Sequence, residues 1–171
     1  MPKSILISIN PEFVEKILNH TKTIEIRKTK PKCELPCKVY IYCTKGKKLY
    51  KCVSNFDEDL LNGKVVAEFT LNKADTLERD LNDWLPKNRY DVSNDLLKNI
   101  NLNQEQLWNY GQGKTLYAWY IDGLKIYDKP KELSEFSSIS KRMKGKESRF
   151  SSHLLQRPPQ SWCYVEELEN E

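Results

Sequence analysis

Four residues near the start of the chain could do chemistry together: Lys22, Thr23, Glu25 and Arg27, set in His20-Thr21-Lys22-Thr23-Ile24-Glu25-Ile26-Arg27. Strand side chains alternate between faces, so Ile24 and Ile26 share one face while Thr23, Glu25 and Arg27 share the other. One face can enter a core. The other carries a hydroxyl, a carboxylate and a guanidinium in a row, with the Lys22 ammonium at the strand entrance. An acid between two bases can hold a polar, partly anionic ligand, or Glu25 can serve only to hold Arg27 in place. In an enzyme, Lys22 would stabilise developing negative charge and Glu25 would move a proton. The plain alternative is a half-exposed strand with an ordinary Glu25–Arg27 ion pair.

The flanking sequence supplies elements to position this group. Ser4–Ile9 reads as a short buried strand, and Asn10-Pro11-Glu12 as a helix start with an N-cap, a first-turn proline and an acid. Phe13, Val14, Ile17 and Leu18 form one apolar stripe, and the helix ends near Asn19-His20. Further strands are expected at Lys38–Thr44 and at Lys64–Leu71, where Val65, Ala67, Phe69 and Leu71 share a face. Leu49–Val53 is expected to pair back as a hairpin. Asn72–Tyr110 is polar and helical in pieces, at Asp91–Ile100 and Asn103–Trp108. Leu116–Tyr127 reads as two strand segments joined at Asp122-Gly123, followed by a helical turn within Lys129–Phe136. Ser137–Gln156 has no clean periodicity and reads as a long basic loop. Ser161–Leu168 is the last strand, and 167–171 is an acidic tail expected to fray. The pattern implies one α+β domain over residues 1–171: a small mixed β-barrel with peripheral helices.

Composition narrows the function classes. A chain of 171 residues with four Trp, nine Tyr and five Phe can bury a real core. A formal charge of +4 permits a phosphate-bearing partner without demanding one. No apolar run reaches the roughly 18 residues of a membrane span, and the N-terminal apolar stretch is too short for a secretory signal. Five cysteines, an odd number, fit reduced thiols and a cytoplasmic location better than a disulfide framework.

At His20–Arg27 the chain resembles the ASCH family of PUA-like barrels, whose pattern is G-x-K-x-x-E-x-R. Lys22, Glu25 and Arg27 fall on the Lys, Glu and Arg positions, and His20 stands where glycine is usual. Ile7-Ser8-Ile9-Asn10-Pro11, Lys64-Val65-Val66-Ala67-Glu68-Phe69 and Tyr117-Ala118-Trp119 agree with it in order. Gln160-Ser161-Trp162-Cys163-Tyr164-Val165 is similar to the closing strand of larger members from phages and gut bacteria. The resemblance implies a PUA-like barrel whose cleft suits RNA or a modified nucleoside. Small relatives are amidohydrolases of N4-acetylcytidine that use a Lys, a Thr nucleophile and a Glu; others are ribonucleases. Lys22 matches that Lys, but the Thr position is Glu25 here, and Thr23 lies on the same expected face. In place of the glycine, either His20 takes a left-handed conformation or Asn19 takes it and His20 is an exposed turn residue.

The remaining candidates are weaker. Lys141, Arg142, Lys144, Lys146 and Arg149, with Phe150 beside them, make either a phosphate-neutralising arm or a solvated loop. Trp119 and Trp162 are candidates for the vicinity of a bound base, with Tyr40, Tyr42 and Tyr120 as further stacking faces. Cys33, Cys37, Cys43 and Cys52 contain no C-x2-C pair, so no metal site is expected, and no cofactor is implied. Gly111-Gln112-Gly113-Lys114-Thr115 lacks the first glycine of a P-loop. The expectation is therefore binding of RNA or a modified nucleoside. The rivals are a hydrolase on the same fold, acting as an N4-acetylcytidine amidohydrolase or a ribonuclease, and a protein-interaction module.

Overall fold

The structure is a computed structural model, and it describes residues 3–46, 51–53, 58–144 and 147–168. In chain order the elements are β1 (Lys3–Ile9), α1 (Pro11–Leu18), β2 (Ile24–Arg27), β3 (Cys37–Cys43), β4 (Lys51–Val53), β5 (Glu58–Leu60), β6 (Val65–Leu71) and β7 (Ala74–Leu77). Then follow α2 (Asn94–Ile100), α3 (Gln104–Gly111), β8 (Leu116–Tyr120), β9 (Asp122–Lys131), a short 3-10 turn at Leu133–Glu135, β10 (Ser137–Lys144), β11 (Glu147–Leu154) and β12 (Trp162–Glu166).

The strands form a seven-stranded sheet in the order β11-β10-β12-β1-β3-β6-β9, a three-stranded sheet β2-β8-β7, and a separate β4-β5 pair. Strand and helix content agrees with the α+β expectation, but the ladders do not join into a closed barrel. The chain passes between the two sheets at Ile121, where β8 ends in the small sheet and β9 begins in the large one. That break falls beside the expected turn at Asp122-Gly123, and Gly123 has φ +57°.

The central strands β1, β2 and β3 are buried on both faces, and alternation decides which cluster each apolar side chain joins. Ile5, Ile7, Ile9, Val39, Ile41, Ala67 and Phe69 from the large sheet meet Trp119 from the small sheet and Val14 and Ile17 from α1 in one core. The outer face of the small sheet, with Ile24, Ile26, Leu116 and Ala118, is covered by Ile100 of α2 and Leu107 of α3. On the far face of the large sheet, Leu6, Tyr40, Tyr42, Val65, Phe136 and Val165 form a third cluster. Val65 therefore does not share the face of Ala67, Phe69 and Leu71. Irregular pairing around Tyr42 and Val65 turns it over, a consequence of the extra residue a bulge inserts.

Three further expectations are corrected. Of the expected hairpin strand Leu49–Val53, residues 49–50 lie outside the described residues, and the rest, β4, pairs with β5 rather than with β3. The stretch Ser137–Gln156 is not a loop, because β10 and β11 pair residue by residue from Ser137↔Leu154 to Lys144↔Glu147. As the outermost ribbon of the sheet it needs no sustained apolar face, so its sequence carries little period-2 signal. The tail does not fray from its first residue. Glu167 pairs with Lys38 at 2.9 Å, and the Leu168 amide donates to the Tyr40 hydroxyl. β7 was hidden in a stretch read as helical, because its four residues, Ala-Asp-Thr-Leu, are too few for a periodic signal.

Candidate functional site

The turn after α1 delivers Lys22 inward. His20 adopts φ +62°, whereas Asn19 stays at φ −92°, so the histidine itself takes the left-handed position that glycine usually fills. The amides of Thr21 and Lys22 both donate to the Lys16 carbonyl, closing the helix end. His20 is exposed there. Lys22 turns under the helix and is only 2% exposed. Its Nζ donates to the Ile100 carbonyl at 2.7 Å, lies 3.3 Å from Glu25 Oε2, and sits 5.2 Å from the centroid of the Phe13 ring.

The β2–β8 ladder sets the rest. Glu25 pairs with Trp119 and Arg27 with Tyr117, so these four side chains share the face turned toward the large sheet. Glu25 Oε1 is 3.1 Å from Arg27 Nη2, giving one carboxylate with a cation on each oxygen. Arg27 Nη2 also donates to the Ser8 carbonyl at 2.7 Å, and Nη1 reaches Ser161 Oγ at 3.4 Å. Its Nε is buried without a partner.

These three charged ends open into one cavity of about 450 Å³ between β1, α1, β2 and α3. Ser8, Asn10 and Phe13 form one wall; Gln106, Asn109 and Tyr110 form another. Asn10 precedes the helix without capping it through its side chain, which leaves that amide for other partners. Burial lowers the Lys22 pKa from its ordinary value, and Glu25 opposes that shift as ion-pair and hydrogen-bond partner. Burial raises the Tyr110 pKa, with Arg27 opposing. The lining thus carries a donor, an acceptor and a donor in a row, with two aromatic rings among its other residues.

The expected site residues divide. Lys22, Glu25 and Arg27 come together. Thr23 does not join them: it precedes the strand, is exposed, and engages Asn99 and Ile121 only through its backbone. Its hydroxyl therefore lies off the line of alternation that carries Glu25 and Arg27 inward. Trp119 stands next to Glu25 across the ladder but is fully buried in the core, 5.7 Å from the Trp162 ring. Trp162 donates through Nε1 to Thr29 Oγ1. Neither tryptophan lines the cavity. Tyr40 and Tyr42 lie on the opposite face of the large sheet, and Tyr120 packs with the cluster under α2 and α3.

Lys141, Arg142, Lys144 and Arg149 fall on the β10–β11 ribbon, but their side chains lie outside the described residues, as does all of Lys146. Sequence reasoning missed the aromatic wall residues Phe13 and Tyr110, and with them the polar Ser8, Asn10, Gln106 and Asn109. Phe13 was read as part of the apolar stripe of α1. Tyr110 lay just past the expected end of α3, which continues to Gly111.

Among the described residues no cluster of three His, Cys, Asp or Glu is placed to hold a metal ion, and no helix is long and apolar enough to cross a membrane.

Neither a family model nor a curated protein matches the chain. Solved structures do. ASCH from Zymomonas mobilis is similar over 95% of this chain and 87% of its own, with a TM-score of 0.58 and 18% identity. A Tyr-to-Phe mutant of the Zymomonas mobilis ASCH protein covers 95% and 90% with a TM-score of 0.51 at 16% identity. A Ser-to-Ala mutant covers 95% and 88% with a TM-score of 0.50 at 16% identity. These similarities show that the chain has an ASCH-type fold.

Proposed function

We propose that the chain binds a nucleobase, carried by RNA or by a modified nucleoside, in the cavity between α1, β2 and α3. The observation that carries this reading is the convergence of Lys22, Glu25 and Arg27 on one cavity flanked by Phe13 and Tyr110. A volume of about 450 Å³ lies within the range of small-molecule sites. A carboxylate accepts from an exocyclic amino group, as Glu does from cytosine N4, while a flanking cation donates to a carbonyl or ring acceptor. Flat aromatic walls favour a planar guest. In this reading the protein works in a reducing cytoplasm, and its four described cysteines are free thiols.

A hydrolase on the same fold is the second reading, favoured by the lowered pKa of the buried Lys22. A desolvated lysine holds a larger neutral fraction near pH 7 than a solvated one and can take a proton. Calorimetric titration with cytidine and N4-acetylcytidine, beside chromatographic assay for released acetate, separates the two. Binding without turnover, weakened at least tenfold in Lys22→Ala and Arg27→Ala, is the expected result. Turnover abolished in Lys22→Ala would move the assignment to the hydrolase. No affinity for any nucleoside or RNA would leave a protein-interaction module on this fold.

A further inference from the structure

After Glu25 the next carboxylate in the chain is Glu34, and between them stand Arg27, Lys28, Lys30 and Lys32. Arg27 points into the cavity. Lys28, Lys30 and Lys32 are exposed, and among the described residues none of them enters an ion pair.

The segment that bears them is pinned. Thr29 accepts from Trp162 Nε1, Pro31 is buried, and the Lys32 amide donates to the Tyr164 hydroxyl at 2.8 Å. The lysines follow one path away from the cavity mouth. Lys28 Nζ lies 4.9 Å from the centroid of Tyr110, a cavity wall, and Lys30 Nζ lies 5.7 Å from that of Tyr117, the ladder partner of Arg27. Lys32 then reaches β12. Alternate residues of an extended chain are at most about 7 Å apart, a spacing that lets each ammonium meet a successive phosphate.

We propose that Lys28, Lys30 and Lys32 form a track for the backbone of single-stranded RNA whose base occupies the cavity. The inference rests on the cavity reading above and adds that the guest arrives as part of a strand. Cations held on an ordered segment neutralise phosphates with less loss of freedom than a mobile arm does, and the half-buried Tyr110 and Tyr117 lie beside them. An acidic peptide would also be attracted, but it lacks the flat base that the cavity walls suit.

The test uses a fluorescently labelled RNA of about twelve nucleotides, within the span such surfaces cover. Its affinity is measured by anisotropy against salt for the wild type, Lys30→Ser/Lys32→Ser and Lys30→Arg/Lys32→Arg. Each phosphate neutralised on a single strand contributes about −0.7 to the slope of log K against log salt, so the Ser pair should make the slope shallower by about 1.4. The Arg pair should restore it. Cytidine affinity should be the same in all three proteins, because neither residue lines the cavity. RNA binding with an unchanged slope in the Ser pair overturns the track and leaves the cavity reading standing. Nucleoside binding without RNA binding does the same. Polyglutamate bound as tightly as RNA, with the same loss in the Ser pair, overturns RNA as the partner. If the wild type binds neither RNA nor nucleoside, the cavity reading fails and the track fails with it.

Discussion

Exchanging Glu25 for Gln keeps the shape of the side chain and removes the single negative charge between two buried cations. Lys22 and Arg27 have side chains only 2% and 10% exposed, and Glu25 is 9% exposed, so water entering by the cavity replaces the lost partner only in part. Breaking a buried ion pair by removing one member costs about 3–5 kcal/mol. A domain of this size has about 5–15 kcal/mol in total, and each kcal/mol shifts Tm by about 2–4 °C. Glu25→Gln should therefore lower Tm by roughly 6–20 °C.

The deficit also has a pH signature. Burial already lowers the Lys22 pKa, and loss of Glu25 removes what opposes that shift. Between the lowered folded value and about 10.4 in the unfolded chain, the unfolded state binds more protons, so stability rises with pH through that window. The deficit is thus full below the lowered folded value and shrinks as pH rises from there toward about 10, while the always-charged Arg27 keeps it from vanishing. Urea melts followed by tryptophan fluorescence at two pH values, with the wild type as reference, measure both effects. A loss under about 1 kcal/mol that does not change with pH would refute the reasoning, because it would show a solvated pair of the surface kind.

Three further outcomes follow from the same geometry. Phe13→Ala and Tyr110→Ala should each weaken nucleoside binding by about 1–3 kcal/mol, the worth of one stacking face, when measured by calorimetry. Nucleoside affinity in the wild type should fall as pH rises through the lowered Lys22 pKa, whereas a hydrolase using neutral Lys22 as base should run faster over that window. Thr23→Ala should leave affinity and any turnover unchanged, since its side chain is outside the cavity; a large loss of turnover would identify it as the nucleophile after all.

The charged core of the site was legible because three residues in one short strand and its approach obey alternation and a helix exit that a sequence displays. Lys22, Glu25 and Arg27 needed no tertiary information beyond the direction of β2. Thr23 failed for the same reason in reverse: alternation holds only inside a ladder, and this residue sits one position before it. The aromatic walls were not legible. Phe13 has the spacing of a core residue, and whether a helix stripe meets core or cavity depends on what lies opposite. Opposite it stands α3, which arrives about ninety residues later. Short strands with helices between them suggest a small mixed barrel, but the step at Ile121 separates the two ladders, and short aromatic strands look the same whichever sheet they join. The β10–β11 ribbon was read as loop because an edge hairpin can be held by backbone pairing without an apolar face.

What the Lys22–Glu25–Arg27 group contributes is decided by the cost of having it. Desolvating two cations and a carboxylate is rarely repaid by their mutual attraction, and well-packed apolar residues of similar volume are often as stabilising. The inward faces nearby, with Ile5, Ile7 and Ile9 and with Val39, Ile41 and Phe69, are otherwise largely apolar. The group also stops short of satisfying itself. Arg27 Nε has no partner, and an ammonium with three donors meets two oxygens. A network built only to hold the fold together gains from completing those bonds, because a buried donor left over costs about 1–3 kcal/mol. One that faces a cavity can leave them for a guest. The incomplete bonding, more than the presence of charge, is what supports the proposal that this end of the sheet receives a guest.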